Sequence, residues 1–314
     1  MITVAGEALI DIVIGASGSI TALPGGAPFN VARTIARLGG TCQFLGKLSD
    51  DTFGEQLQAS LQRDGVKIAV ANVTPAPTTL AIARLDKFGT AEYRFYLEGT
   101  SAAQLSAADA RAEILDGSTA IALGGLGLLL EPTASSLTAL IRQKPPGATI
   151  LLDPNCRPGT VTDLHAYREM IDTVARQVDI IKVSTDDLRL LRPDSASLEA
   201  ARSLLELGPA AVLVTDGPAP VGIHTAAYEG SVPAPVVDVV DTIGAGDAFV
   251  AGFLTWWTAH ALMQHDAARP DALVSATTAA IAVAAANCTV RGATLPTGFR
   301  WSTVSPGFAQ ARDR

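Results

Sequence analysis

The sequence predicts an α/β fold, with a mostly parallel central sheet, helices on both of its faces and a small separate β lid. Three observations carry this. From Ser106 onward, short apolar strands alternate with amphipathic helices, the rhythm of a parallel sheet whose crossovers cover both faces. Upstream, two stretches around 8–24 and 78–97 alternate with period two and interrupt that rhythm. The chain has 314 residues, 48% of them hydrophobic and 17% charged, which suffices for a large core in a folded, non-disordered protein.

The elements follow in order. Ile2-Thr3-Val4 and Ala8 to Ile14 alternate as strands, Gly15 to Gly18 turn the chain, and Ile20 to Leu23 return as a short strand. Pro28 to Leu38 reads as a helix, with Phe29, Val31, Ile35, Ala36 and Leu38 on one side and Arg33 and Arg37 on the other; Gly39-Gly40 ends it. Cys42 to Leu45 is a strand, and Thr52 to Arg63 a helix with Asp51 as N-cap and Glu55 nearby. Thr78 to Asp86 and Ala91 to Leu97 are strands joined by a Lys87-Phe88-Gly89-Thr90 hairpin. Further strands are expected at Ala120 to Leu123, Thr149 to Leu152, Ile180 to Val183 and Ala211 to Val214. Helices are expected at Ala107 to Leu115, Pro132 to Arg142, Asp163 to Gln177, Thr185 to Leu191 and Ser197 to Leu207. The β-branched run Val236 to Val240 reads as a strand leading into a Gly-Ala-Gly turn, and Ala248 to Leu254 as a buried helix. The tail after about 297 is irregular. One domain over 1–314, with a lid built from about 8–24 and 78–97, accounts for the whole.

Composition excludes several function classes. A net charge of −8 speaks against a nucleic-acid binder, which carries a basic face. Cys42, Cys156 and Cys288 are odd in number and far apart, as expected of reduced thiols in a cytoplasmic protein. The N-terminus lacks a basic leader, and Glu7 and Asp11 interrupt its apolar run. Thr119 to Leu130 and the Ala-rich Ala272 to Ala286 read as core elements and not as membrane spans. His165, His224, His260 and His265 show no metal spacing, and neither a Gly-x4-Gly-Lys-Ser/Thr loop nor a complete Gly-x-Gly-x-x-Gly follows the first strand.

Chemistry is concentrated in Asp241-Thr242-Ile243-Gly244-Ala245-Gly246-Asp247. A glycine turn that opens into a helix presents unpaired N–H groups and the positive end of the helix dipole, an anion site. Asp247 stands inside that cradle. A carboxylate repels phosphate unless it has a task, such as taking the proton of a hydroxyl that attacks phosphorus. For Gly-x-Gly-Asp alone, helix capping is the simpler account. A second segment, Gly25-Gly26-Ala27-Pro28-Phe29-Asn30-Val31-Ala32, changes the balance, because its Gly-Gly pair precedes a helix whose first turn carries Asn30, a donor and acceptor suited to a sugar hydroxyl. Asp11, on an apolar strand, needs a partner. Asp153-Pro154-Asn155-Cys156-Arg157-Pro158 follows a strand, where polar groups face the ligand crevice.

Together these motifs resemble the PfkB-type, ribokinase-like carbohydrate kinases, over essentially the whole chain. The two glycine segments are similar to the N- and C-terminal signatures of that family. Gly46 to Gly54 and Lys182-Val183-Ser184-Thr185-Asp186-Asp187-Leu188 are similar to segments between them. The resemblance implies a ribokinase-like three-layer sandwich, ATP as phosphoryl donor, Mg²⁺, and in some members a monovalent cation such as K⁺. It implies that Asp247 is the general base, with Gly244, Ala245 and Gly246 supplying the anion hole. It implies that Asp11, Gly25, Gly26, Asn30, Asn155 and Arg157 face the sugar, with Arg157 on the substrate or the phosphate; a surface ion pair with a neighbouring acid is the lesser alternative for Arg157. Ser184 and Asp187 stand where many members carry Asn-x-x-Glu, a segment that orders metal and phosphates. Thr215-Asp216-Gly217 would form a nucleotide loop, with Pro220 where a second glycine is usual. Ala279 to Asn287 would lie along the adenine, and Asp241 and Thr242, with the turn at Arg291-Gly292-Ala293, would hold the monovalent cation.

Tyr93 to Ala102 is similar to the lid strand and following turn of bacterial fructokinases. Alternation puts Arg94 and Tyr96 on one face, opposite Tyr93, Phe95 and Leu97, and the expectation is that Arg94 or Tyr96 covers the sugar. Glu98-Gly99-Thr100 and Lys182-Val183-Ser184 favour fructose, with fructose 6-phosphate as product. Two converging arginines, Arg94 and Arg157, would also suit the carboxylate of 2-keto-3-deoxygluconate. A nucleotide-binding homologue without turnover is the reading from another class. The lid strands are expected to pair two subunits into a homodimer.

Overall fold

The computed structural model describes residues 1–15, 18–85 and 91–301. The Lys87–Thr90 hairpin, residues 16 and 17 of the first turn and the tail from 302 lie outside them. Among the described residues, nine strands form one sheet. In spatial order they are Glu229–Val232 (β13), Val221–His224 (β12), Ala211–Thr215 (β11), Ile180–Ser184 (β10), Thr149–Asp153 (β9), Ala120–Gly124 (β8), Ile2–Ala5 (β1), Cys42–Leu45 (β4) and Lys67–Ile68 (β5). From β11 to β5 the pairing is parallel; β12 and β13 add an antiparallel edge.

Period-two alternation sorts the strand side chains into two cores. Ala120, Ala122, Leu151, Ile180, Ala211 and Leu213 point into one, with Phe29 and Ile35 of α1 (Ala27–Arg37), Phe253 and Trp257 of α7 (Ala245–Ala259) and Leu273 and Ala276 of α8 (Pro270–Cys288). Ile121, Leu123, Ile150, Leu152, Ile181 and Val212 point into the other, against α3 (Thr133–Ile141), α4 (Leu164–Ala175), α5 (Thr185–Leu191) and α6 (Ser197–Leu205). The result is the three-layer sandwich that the alternation predicts. Ala-rich α8 lies against α7, where a Cβ on Gly252 would stand 2.9 Å from Val283. α2 (Thr52–Arg63) begins as expected: the Asp51 side chain accepts from Gly54 N–H at 2.8 Å.

The lid is a separate four-stranded sheet in the order Ile20–Gly25 (β3), Leu9–Ile14 (β2), Leu80–Leu85 (β6), Ala91–Tyr96 (β7). Its register sets Asp11 opposite Leu23 and Ala81, and Ala81 opposite Phe95.

Two expectations fail, and two strands stand where none was expected. Ala107 to Leu115 is not an α-helix; only a 3₁₀ turn at Ala112–Leu115 forms. The Asp109 carboxylate accepts from both the N–H and the hydroxyl of Ser106, at 3.2 and 2.8 Å, and pairs with Lys47 at 2.9 Å, local bonds that compete with helix formation. Val236 to Val240 pairs with no strand, and Val236, Val239 and Val240 are exposed. β-Branched residues favour a strand only where a sheet edge receives them. β12 and β13 were not foreseen, because Gly222 and Gly230 dilute their pattern.

Candidate active site

The parallel strands end together beneath the lid, and a cleft of about 990 Å³ opens there. Its floor is Asp247, in the first turn of α7. Gly244 precedes that helix in a left-handed conformation (φ 79°), and a Cβ there would collide with Ala293, so the turn requires glycine. No side chain caps the helix. The Ala245 N–H is spent on the Thr242 carbonyl at 3.2 Å, so the expected anion-hole role of Ala245 finds no free donor, while Gly244 and Gly246 line the cleft beside the Asp247 carboxylate.

Asp247 is buried and accepts from the Asn30 amide at 2.9 Å and the Asn155 amide at 3.4 Å. Neither partner is charged. Burial pushes its carboxyl up to about 6; Asp153 adds to the rise, while the Asn30 bond, Arg157 and Lys182 oppose it. A group of this kind is ionised at neutral pH yet accepts a proton readily, as a general base must. Asn30 is held at the start of α1, and its Oδ1 is buried with no hydrogen-bond partner among the described residues, an acceptor left for a ligand hydroxyl.

Asp11 reaches the cleft from β2. Burial pushes its carboxyl up to about 6, with Arg157 pulling it down. A Cβ on Gly25 would land on Asp11 Oδ2, so Gly25 makes room for this carboxylate. Gly26 has φ 103°, and a Cβ there would stand 2.9 Å from the Glu7 carbonyl. Asn155 is left-handed at φ 46°, in a turn where its N–H meets Asp153 Oδ1 at 3.1 Å. Arg157 donates to the carbonyls of Asn155 and Cys156 at 3.3 and 3.2 Å and forms no ion pair among the described residues. Its charge reaches Glu7, Asp11, Asp153 and Asp247. It is exposed where it lines the cleft, and the surface ion pair that was the other reading does not form among the described residues.

Arg94 and Tyr96 do not face the cleft. Asp11, Ala81 and Phe95 are register partners, as are Val13, Ala83 and Tyr93, so Phe95 and Tyr93 share the Asp11 face and line the cleft. Arg94 and Tyr96 occupy the opposite face, with the Arg94 guanidinium 5.7 Å from the Tyr96 ring centre. Strand alternation separates two faces without saying which is inner; the register with Asp11 decides.

Ser184 and Asp187 also line the cleft, but they form a capping box at the start of α5. Asp187 Oδ2 accepts from the Ser184 N–H at 2.8 Å and Oδ1 from the Cys156 N–H at 2.8 Å, so this acid fastens the Asn155 turn to α5. Thr215 and Gly217 lie at the end of β11, beside that edge of the cleft, outside its lining. Asn287 is buried in α8 and spends its amide on the Ile243 carbonyl at 2.8 Å; it supports the 241–244 turn from beneath and does not border the cleft. Asp241 accepts from the N–H groups of Ile243 and Gly292, at 3.0 and 2.8 Å, joining the two loops expected at a cation site, and Thr242 lines the cleft.

Sequence reasoning missed Glu7 and the buried pairing of Lys182 with Asp153. Lys182 is buried in β10, 2.9 Å from Asp153, and a Cβ on Gly246 would stand 3.2 Å from its Nζ. Burial lowers its ammonium, but the carboxylates of Asp153 and Asp187 outweigh that and hold it above its ordinary value. A fixed positive charge therefore sits against the anion-hole turn. The signal was present, since a lysine inside an apolar strand needs a buried partner. No cluster of three or more His, Cys, Asp or Glu suited to a metal occurs among the described residues.

Comparison with known proteins agrees with this geometry. Residues 1–298 match the pfkB family carbohydrate kinase profile. The chain is 35% identical over 259 residues to a probable fructokinase-5 of Arabidopsis thaliana, covering 79% of this chain and 80% of that one. It is 34% identical to a fructokinase of Rhizobium leguminosarum bv. trifolii, over 81% and 78% of the two chains. The solved fructokinase of Xylella fastidiosa with bound ATP superposes with a TM-score of 0.88 at 27% identity, covering 100% of this chain and 99% of that one. An uncapped glycine helix start, a buried carboxylate beside it and a profile match over nearly the full length place this chain in the pfkB family of carbohydrate kinases.

Proposed function

We propose that this kinase transfers the γ-phosphoryl group of ATP to a hydroxymethyl group of fructose, giving fructose 6-phosphate. The observation that carries the reading is Asp247, buried between two neutral amides at the mouth of an uncapped helix N-terminus. The sugar oxygen attacks the γ-phosphorus as its proton passes to Asp247. The bond from phosphorus to the bridging oxygen breaks, and ADP leaves with that electron pair. The N–H groups at Gly244 and Gly246 and the Lys182 ammonium meet the charge on the transferred group, and positioning with electrostatics supplies most of the catalysis. ATP and Mg²⁺ enter over Ser184 and Thr242, toward Thr215 and Gly217. A K⁺ ion held near Asp241 and Thr242 is part of the same proposal.

Charge favours a neutral sugar. Glu7, Asp11 and Asp247 border the sugar half of the cleft; of the described arginines that line the cleft, Arg189 is paired with Asp186 and Arg157 is in no ion pair, while Arg94 lies on the outer lid face. A keto acid would meet three carboxylates with one guanidinium in compensation. A coupled ADP-release assay with fructose, 2-keto-3-deoxygluconate, ribose and nucleosides tests this. Preference for the keto acid overturns the sugar assignment, and sugar-independent ADP release at the same rate overturns the kinase reading.

The same proposal includes a cytoplasmic homodimer. Ile12, Ile14, Ile20, Ile82 and Tyr96 share the outer lid face by register, and Ile20 and Tyr96 are 70% and 47% exposed. An apolar sheet face of this kind is normally covered. Sedimentation of the wild type and of Ile20→Lys distinguishes dimer from monomer; a monomeric wild type rejects the dimer.

A further inference from the structure

We propose that Glu7 is a positioning residue for the sugar, its carboxylate clasping the two glycine segments that floor the sugar half of the cleft. This rests on the sugar-site reading above. Glu7 follows β1 and is 3% exposed. Its Oε1 accepts from the Ala27 N–H, the first residue of α1, at 3.3 Å. Its Oε2 accepts from the Gly127 N–H at 3.0 Å, in the 3₁₀ turn Gly125–Leu128 that follows β8. Both segments border the cleft, one through Gly26, Ala27 and Asn30, the other through Gly125 and Leu126. The space is fitted to this carboxylate: a Cβ on Gly125 would stand 2.6 Å from Oε1 and 2.7 Å from Oε2.

Among the described residues Glu7 has no ion-pair partner within contact. A buried acid kept on N–H groups alone is costly, and in a cleft that cost points to function. Proton transfer and charge stabilisation do not require it, because Asp247 and the 244–246 turn supply both. Its effect reaches the sugar through α1. Asn30 stands three residues beyond Ala27, and its free Oδ1 is a buried acceptor. Releasing the Ala27 N–H frees the first turn that sets Asn30 in place.

Both N–H groups require the ionised form. A proton on either oxygen turns one acceptor toward a donor. Burial pushes the Glu7 carboxyl up to about 7, while its N–H bonds and the Arg157 charge pull it down. Arg157 is the charged group that faces it. Asp11 and Asp247, both raised to about 6, share the cleft, and Lys182 is occupied with Asp153.

Steady-state KM values for fructose and ATP, measured from pH 6 to 8.5 on the wild type and Glu7→Gln, test the proposal. Fructose KM of the wild type is expected to rise by at least about tenfold from pH 8 to pH 6, the change given by one proton binding near 7, against about fourfold for Asp11 and Asp247 together, each near 6. In Glu7→Gln, fructose KM at pH 8 is about tenfold above wild type and rises by no more than about fourfold to pH 6, with ATP KM within about twofold. A fructose KM within twofold of wild type, or fructose and ATP KM rising together, overturns the proposal. If Glu7→Gln does not fold, the wild-type profile decides: a rise of about tenfold or more supports the role, and a rise of about fourfold or less, which Asp11 and Asp247 account for, rejects it. Failure of the broader reading looks different, since the wild type would then turn over no sugar at any pH, and Glu7 would lose its role with it.

Discussion

Replacing Asp247 with asparagine should move activity and stability in opposite directions. The variant keeps the shape of the site. Its carbonyl oxygen accepts from the Asn30 amide as Oδ2 does at 2.9 Å, and only the long 3.4 Å contact with Asn155 is lost. The proton acceptor disappears, which costs about 10²- to 10⁴-fold in kcat for a general base. The buried charge disappears as well. Burial raises this carboxyl from 3.8 to about 6. Two units correspond to about 3 kcal/mol of native-state cost once the group is ionised in both states. The sign follows from proton binding. Between pH 4 and 6 the folded state holds the proton that the unfolded state has released, so wild-type stability falls as pH rises through that window. Asp247→Asn should therefore be more stable than wild type at pH 8, by up to about 3 kcal/mol, and equal to it below pH 4, where the acid is neutral in both states. Urea unfolding at pH 8 and pH 4, beside the ADP-release assay, gives both readouts. A variant that retains more than a tenth of wild-type kcat refutes the base assignment. A variant that is less stable at pH 8 than at pH 4, relative to wild type, refutes the reasoning about the buried charge.

Other perturbations separate the parts of the site. Gly25→Ala puts a methyl group on the Asp11 carboxylate, so fructose KM should rise about tenfold or more while ATP KM stays within twofold; a shared rise in both contradicts the assignment of Asp11 to the sugar. Lys182→Met leaves Asp153 buried without its cation, so unfolding experiments should show a loss of about 3–5 kcal/mol at pH 8, together with a fall in kcat. Unchanged stability would mean that the pair is not buried in solution. Phe95→Ala should raise fructose KM several-fold, whereas Arg94→Ala should leave it within twofold; the reverse outcome would invert the lid register. Glu7, Asp11 and Asp247 all carry raised carboxyls, so wild-type stability should decline from about pH 4 to pH 7, and saturating fructose should offset part of the decline in a thermal scan.

What could be read from the sequence was chemistry carried by contiguous residues. Gly244 to Asp247, Gly25 to Asn30 and Asp153 to Arg157 each contain both the backbone conformation and the functional group, so the segments could be read together and carried the resemblance to the kinase family. The structure brings all three to one cleft, because parallel strands end on the same side of the sheet. Strands β8 to β11 were equally legible as short apolar runs between helices, since both of their faces are buried against a core.

The rest depended on partners far away in the chain. Ala107 to Leu115 has helical spacing, but Lys47 draws Asp109 into a buried pair and Ser106 closes the turn around it. Val236 to Val240 has strand composition and no strand to receive it. Arg94 and Tyr96 carry more polar chemistry than Phe95, and that drew the expectation to the wrong face; only Asp11, one strand beyond the neighbouring β6, fixes which face looks inward. Asn287 is polar in an apolar helix, as a ligand contact would be, yet its amide meets the carbonyl of Ile243, 44 positions away in sequence. In each case the residue type implied a partner and the fold determined which one. Glu7 and Lys182 follow the same logic from the other direction. A charge inside an apolar strand or beside one is a question about what it touches, and here the answers are two glycine segments and Asp153.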